Sequence, residues 1–135
     1  MRVLLDTNVL VSAFATRGLC ADVLRHGVAE HELVVGEVVL AELRGVLRER
    51  MGLPRGEVEE IDRFLREYGV VRRPRRPAEV KVRDPDDAWV IASAVAGKAD
   101  VIVSGDKDLL DLRDASPVPI QSPREYWTSA SGAKS

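Results

Sequence analysis

The sequence predicts an α/β fold. A three-layer sandwich is expected, with a central, mostly parallel sheet of four to five strands flanked by helices on both faces. Three observations carry this. Short aliphatic runs, Val3–Leu5, Leu33–Val35, Val70–Val71 and Val101–Val103, recur along the chain and are too short to be helices. Longer stretches with helical spacing separate them, the alternation that βαβ units require. Hydrophobic residues make up 45% of the 135-residue chain but aromatics only 4%. The core is therefore aliphatic, as strands buried on both faces demand.

The first strand starts at Arg2 and ends at Asp6, followed by Thr7 and Asn8. Val9 to Ala15 begins a helix with Asn8 as a candidate cap, Arg17-Gly18 breaks it, and Cys20 to Ala29 resumes it. After the second strand, Gly36 precedes a helix from Glu37 to Met51, with Val39, Leu43, Val46 and Leu47 on one side. Gly52 and Pro54 end it. Arg55 to Tyr68 forms a further amphipathic helix, closed by Gly69 before the third strand. Asp84-Pro85-Asp86-Asp87 opens the next helix, which runs to about Gly97, with Asp84 as its cap and Pro85 in its first turn. The fourth strand leads into Ser104-Gly105-Asp106, then a short helical turn around Leu109, Leu110 and Leu112. Val118 to Ile120 is a weak fifth strand whose prolines place it at the sheet edge. One domain, residues 1–128, and a frayed tail, 129–135, are expected.

Four acids stand out against this scaffold. Asp6 and Asp106 each follow a strand, and ligands of open α/β sheets bind beyond the carboxyl ends of strands. Glu42 has Val38, Val39 and Val46 as helical neighbours, so it sits on or beside the apolar stripe, or at its edge where it reaches solvent. Asp87 shares a face with Val90, Ile91 and Ala94. Capping alone would account for three acids at this helix start, yet it explains Asp84 best and Asp87 least. Converging carboxylates repel unless a cation neutralises them, and an all-oxygen set suits Mg²⁺ or Mn²⁺. Such a cation supports phosphoryl chemistry. Neither G-x-x-x-x-G-K-[ST] nor G-x-G-x-x-G occurs, so nucleotide-driven chemistry recedes.

Charge and cysteine content narrow the class. Net charge is −2, and without these four acids the rest of the chain carries +2. An acidic pocket in a mildly basic body can hold cations and still admit a phosphate polymer. From Arg72 to Arg83 six basic residues face one acid, Glu79. Arg72, Arg73, Arg75 and Arg76 read either as a solvated loop or as a seat for a phosphate backbone. Cys20 is the only cysteine, which excludes an internal disulfide. A strand beginning at Arg2 leaves no room for a signal peptide, and no apolar run is long enough to span a membrane. A cytoplasmic location is expected.

Four motifs occur in a characteristic order: L-L-D-T-N at the start, A-E-L mid-chain, D-D-A-W-V-I-A-S-A opening a later helix, and V-S-G-D-K-D-L after a strand. Together they resemble PIN-domain proteins, in particular the VapC-type ribonuclease toxins of toxin–antitoxin systems. The resemblance implies a PIN-like fold and Mg²⁺- or Mn²⁺-dependent endoribonuclease activity on RNA. It also implies a homodimer and inhibition by a small antitoxin protein. It assigns Asp6, Glu42, Asp87 and Asp106 to catalysis and metal binding, with Asn8 and Ser104 in support. Ser104 stands where the family usually has threonine. Gly36 stands where many relatives carry a serine that caps the glutamate helix. Two other readings stand beside this one. A phosphatase-like hydrolase using Asp6 as nucleophile would want an acid two residues on, where Asn8 stands. A non-catalytic PIN-like module binding RNA or protein would not need all four acids.

Overall fold

A computed structural model of the chain describes residues 1–130. Within these residues five strands form one sheet: β1 (Arg2–Leu5), β2 (Glu32–Gly36), β3 (Val70–Val71), β4 (Val101–Val103) and β5 (Ile120–Gln121). All pairings are parallel, in the order β3-β2-β1-β4-β5. β1 is central, with Val3 opposite both Leu33 and Val101, and Leu4 opposite Val34 and Ile102. Val3, Leu4 and Ile102 are fully buried, the two-sided burial that continuous aliphatic runs announce.

Among the described residues seven helices cover the sheet: α1 (Thr7–Ala15), α2 (Leu19–Glu30), α3 (Glu37–Glu49), α4 (Arg55–Arg66), α5 (Pro85–Ala96), α6 (Lys107–Leu110) and α7 (Pro123–Ala130). The chain steps outward from β1 to β2 to β3, then returns to β4 on the other side of β1. With right-handed crossovers this reversal sends α1 to α4 to one face and α5 to the other. The packing agrees: α1 lies against α2 and α3, α3 against α4, and α5 against β2 and β4.

α5 seats closely on the sheet. A Cβ at Gly97 would fall 2.6 Å from Val34 Cγ1 and 2.9 Å from Val71 Cγ2. Two residues along β2, a Cβ at Gly36 would lie 3.3 Å from Ser93 Cβ. The missing cap on α3 thus has a physical reason, since the space a serine at position 36 would take borders Ser93 of α5. Gly97 ends the helix with φ −84°, and the left-handed residue is Lys98, at φ 55°.

The structure differs from the sequence reading in several places. α1 begins at Thr7, so Asn8 lies inside it and does not cap it; its amide is engaged across the sheet edge instead. The fifth strand is Ile120–Gln121, at the edge as expected. Residues 123–130 form α7, so the expected tail overlaps helix at 129 and 130, while 131–135 lie outside the described residues. α7 starts with a capping box: Glu125 N donates to Ser122 Oγ at 3.1 Å and Ser122 N to Glu125 Oε1 at 2.8 Å. Arg113 holds the same carboxylate by a two-nitrogen fork, and these partners lower the Glu125 pKa to about 2. Tyr126, fully buried, anchors α7 to α2 beside His26. No helix among the described residues is long and apolar enough to cross a membrane.

Candidate active site

The order β3-β2-β1-β4-β5 reverses direction between β1 and β4, and a crevice opens beyond the carboxyl ends of that pair. Asp6 leaves β1 there, its N–H still bonded to Val103 O at 2.9 Å. It makes no side-chain capping bond to α1, although the Thr7 amide beside it helps hold its pKa down. Ser104 donates its hydroxyl hydrogen to Asp6 Oδ2 at 2.8 Å and accepts from Asp106 N at 3.0 Å. A fully buried serine thus joins the acid after β1 to the loop after β4. Asn8 makes a second link. Its Oδ1 accepts from Gly105 N at 2.9 Å, and its Nδ2 points to Asp6 Oδ2 and Ser104 Oγ, each at 3.4 Å. A Cβ at Gly105 would stand 3.5 Å from Asn8 Oδ1, an ordinary van der Waals contact.

Asp87 approaches from α5. Asp84 is the true cap, accepting from Asp86 N at 3.0 Å, which leaves Asp87 free to turn inward. It is only 5% exposed, and its Oδ2 has no hydrogen-bond partner. Burial first, then the charges of Asp106, Asp84, Asp6 and Asp108, raise its pKa to about 7. Asp6 is 6% exposed, and burial raises it to about 6 against the opposing bond from Ser104. Asp106 caps α6 and accepts from Asp108 N at 3.0 Å. Glu42 is exposed at the edge of the α3 stripe, the solvent-reaching alternative of the sequence reading.

Asp6, Glu42, Asp87 and Asp106 all line one cavity of about 260 Å³, and Asn8 lines it with them. Asp84, Asp86 and Arg50 line it too; the sequence left open a water-mediated metal contact for Asp86, read Asp84 only as a cap and gave Arg50 no role. For Arg50 the sequence signal was its position eight residues after Glu42, two helical turns along the same face. The arginine run lies elsewhere. Arg75 and Arg76 line a separate cavity, and the Arg73 guanidinium stacks 4.1 Å above the Trp89 ring.

The donors suit a hard divalent cation: they are oxygens, and one is a buried carboxylate oxygen with no partner. Among the described residues, no three His, Cys, Asp or Glu side chains stand together tightly enough to hold an ion as they are. The carboxylates frame the cavity and leave room for water around a cation, which suits Mg²⁺, an ion that keeps part of its water shell.

Fold and site define a doubly wound α/β domain with an acid-lined cavity at its switch point. The PIN domain family model matches residues 2–108, and the chain belongs to that family. Solved structures agree on the fold. VapBC2 from Rickettsia felis, bound to a DNA fragment from its promoter, aligns with a TM-score of 0.66 at 17% identity, covering 90% of this chain and 98% of the other. FitAcB from Neisseria gonorrhoeae aligns with a TM-score of 0.59 at 16% identity, with the same coverage. No curated protein matches the sequence.

Proposed function

We propose that this chain is a divalent-metal-dependent endoribonuclease and the toxin component of a toxin–antitoxin pair. The observation that carries the activity is the single cavity lined by Asp6, Glu42, Asp87 and Asp106 at the switch point of the sheet. PIN domains are generally nucleases, and the solved relatives VapBC2 and FitAcB support the toxin role. A small antitoxin and a second copy of the chain are the proposed protein partners.

Asp6, Asp87, Asp106 and Glu42 would hold Mg²⁺ or Mn²⁺, which when bound polarises the scissile phosphodiester and stabilises the leaving oxygen. The remaining work falls to the protein. Ser104 and Asn8 fix the Asp6 carboxylate, so its orientation is set before substrate arrives. The Asp108 amide occupies Asp106 Oδ1 and leaves the other oxygen for the cavity. Asp87 keeps Oδ2 unpartnered at the cavity wall. Glu42 lines the cavity from its exposed position on α3. Arg72, Arg73, Arg75 and Arg76 would meet a longer RNA outside the cavity.

The test is cleavage of labelled RNA by the purified protein, with Mg²⁺ or Mn²⁺ and with EDTA, beside Asp6→Asn. Metal-dependent cuts that Asp6→Asn lacks support the reading. Cleavage that survives EDTA overturns the metal role, and binding without cleavage across varied RNAs favours the non-catalytic module.

A further inference from the structure

The acid cavity poses an electrostatic problem that the carboxylates do not solve. A strand of phosphates must approach a group of acids, and bulk charge gives no help. Cations beside the cavity would lower that barrier.

Cations stand on two sides of the cavity, each among carboxylates. On the α3 side, Glu42, Val46 and Arg50 follow one another at four-residue spacing, and all three line the cavity. They also line a second, adjoining hollow whose opposite wall is Asp84 and Asp86. Arg50 is exposed and carries no ion pair among the described residues, although carboxylates surround it. On the other side, beyond the turn Asp106–Asp108, lies a hollow whose charged lining is Lys81, Arg83, Asp108 and Asp111. Lys81 is exposed and unpaired among the described residues. Arg83 lies 3.8 Å from Asp108 Oδ1 with its side chain 87% exposed, too loose and too wet to be a committed ion pair. Arg83 precedes Asp84 directly, so this flank adjoins the acid cavity along the chain as well.

We propose that a single RNA strand crosses the acid cavity with its phosphates held by Arg50 on one side and by Lys81 and Arg83 on the other. This rests on the nuclease reading above and adds the path of the substrate. The path differs from the one the arginine run suggests. Arg75 and Arg76 border a hollow floored by Ala92, Val95 and Ala96. Arg73 is engaged with Trp89. Contacts at the run would serve an RNA long enough to leave the cavity, whereas Arg50, Lys81 and Arg83 would hold a short one.

The experiment uses single-stranded RNA of about ten nucleotides, a length within the reach of one binding groove. Binding is measured against salt in an Asp6→Asn background, and cleavage kinetics in the wild-type background. Arg50→Gln and the pair Lys81→Gln with Arg83→Gln should each raise KM about tenfold, with kcat within about twofold. Each lost cation should flatten the salt slope by about 0.7. Arg50→Lys should keep most of that slope, and Arg75→Gln with Arg76→Gln should leave the short RNA unaffected. Unchanged KM and salt slope overturn the proposal. A shifted Mg²⁺ half-saturation at constant KM also overturns it, because the cations would then only balance the acids. Loss confined to the Arg75 and Arg76 pair moves the strand to the connector and overturns it too. A wild-type protein that cuts no RNA in any metal fails the nuclease reading itself, and the proposal falls with it.

Discussion

Replacing Asp87 by Asn should make the metal-free protein more stable. Asp87 is 5% exposed and its Oδ2 has no partner, so the ionised form lacks both water and hydrogen bonds. Burial and neighbouring carboxylates raise its pKa from 3.8 to about 7. A raised folded-state pKa favours folding fully below the unfolded value and loses that contribution as pH rises through the folded one. The window is therefore pH 4 to 7, and the full shift is worth about 4 kcal/mol. Asn removes the charge but buries an amide that costs about 1–2 kcal/mol itself. A net gain of about 2–3 kcal/mol at pH 7.5 follows, shrinking to nothing or reversing near pH 4. Urea melts in EDTA at a series of pH values measure it. The wild type should lose stability between pH 4 and 7 more steeply than the variant. Asp6, raised to about 6, leaves a residual slope in both. Glu125, held near 2, acts below this window and cancels in the difference. Adding Mg²⁺ should stabilise the wild type and the variant much less, since stabilisation by a ligand needs its site. A variant that melts below wild type at pH 7.5 without metal, or that keeps the full pH slope, refutes the reasoning.

Three further outcomes are expected. Asn8→Ala removes the link from β1 to Gly105 N and one neighbour of Asp6; it should cost about 1–2 kcal/mol in melts and lower kcat more than it raises KM. Gly97→Ala places a Cβ 2.6 Å from Val34 Cγ1 and should destabilise by about 1–3 kcal/mol, with Val34→Ala partly restoring stability. Lys98→Gly relieves a left-handed residue at φ 55° and should raise stability by up to about 1 kcal/mol in the same melts.

Much of this was legible in the sequence because the signals were local. An aliphatic run ending in an acid marks Asp6 and Asp106, and the offset of Asp87 from Asp84 separated the buried carboxylate from the cap that accepts from Asp86 N. Strand order was not legible, since periodicity shows that strands are buried and parallel but not which neighbours they choose. Asn8 looked like a cap because an amide after a strand usually is one; only the approach of the β4 loop gave it another partner. α7 carried its own signal, the Ser122–Glu125 capping box, and was missed beside a weak, proline-flanked strand. Arg50 stands just past the end of α3, and its neighbourhood with Asp84 and Asp86 depends on a crossover of the whole chain.

The close seating of α5 reaches beyond stability. Ser93 touches the sheet at Gly36, Gly97 rests on Val34, and Asp87 is carried at the opposite end of the same rod. At 1.5 Å per residue, Gly97 lies about 6 Å and Asp87 about 9 Å from the Ser93 fulcrum. A methyl group that lifted the Gly97 end by about 1 Å would swing the Asp87 end by about 1.5 Å in the opposite sense. The spacing of the carboxylates is thus gauged at the far edge of the sheet, by a glycine that touches none of them. On the proposed metal role, a change at Gly97 would retune cation affinity without altering any of the four acids.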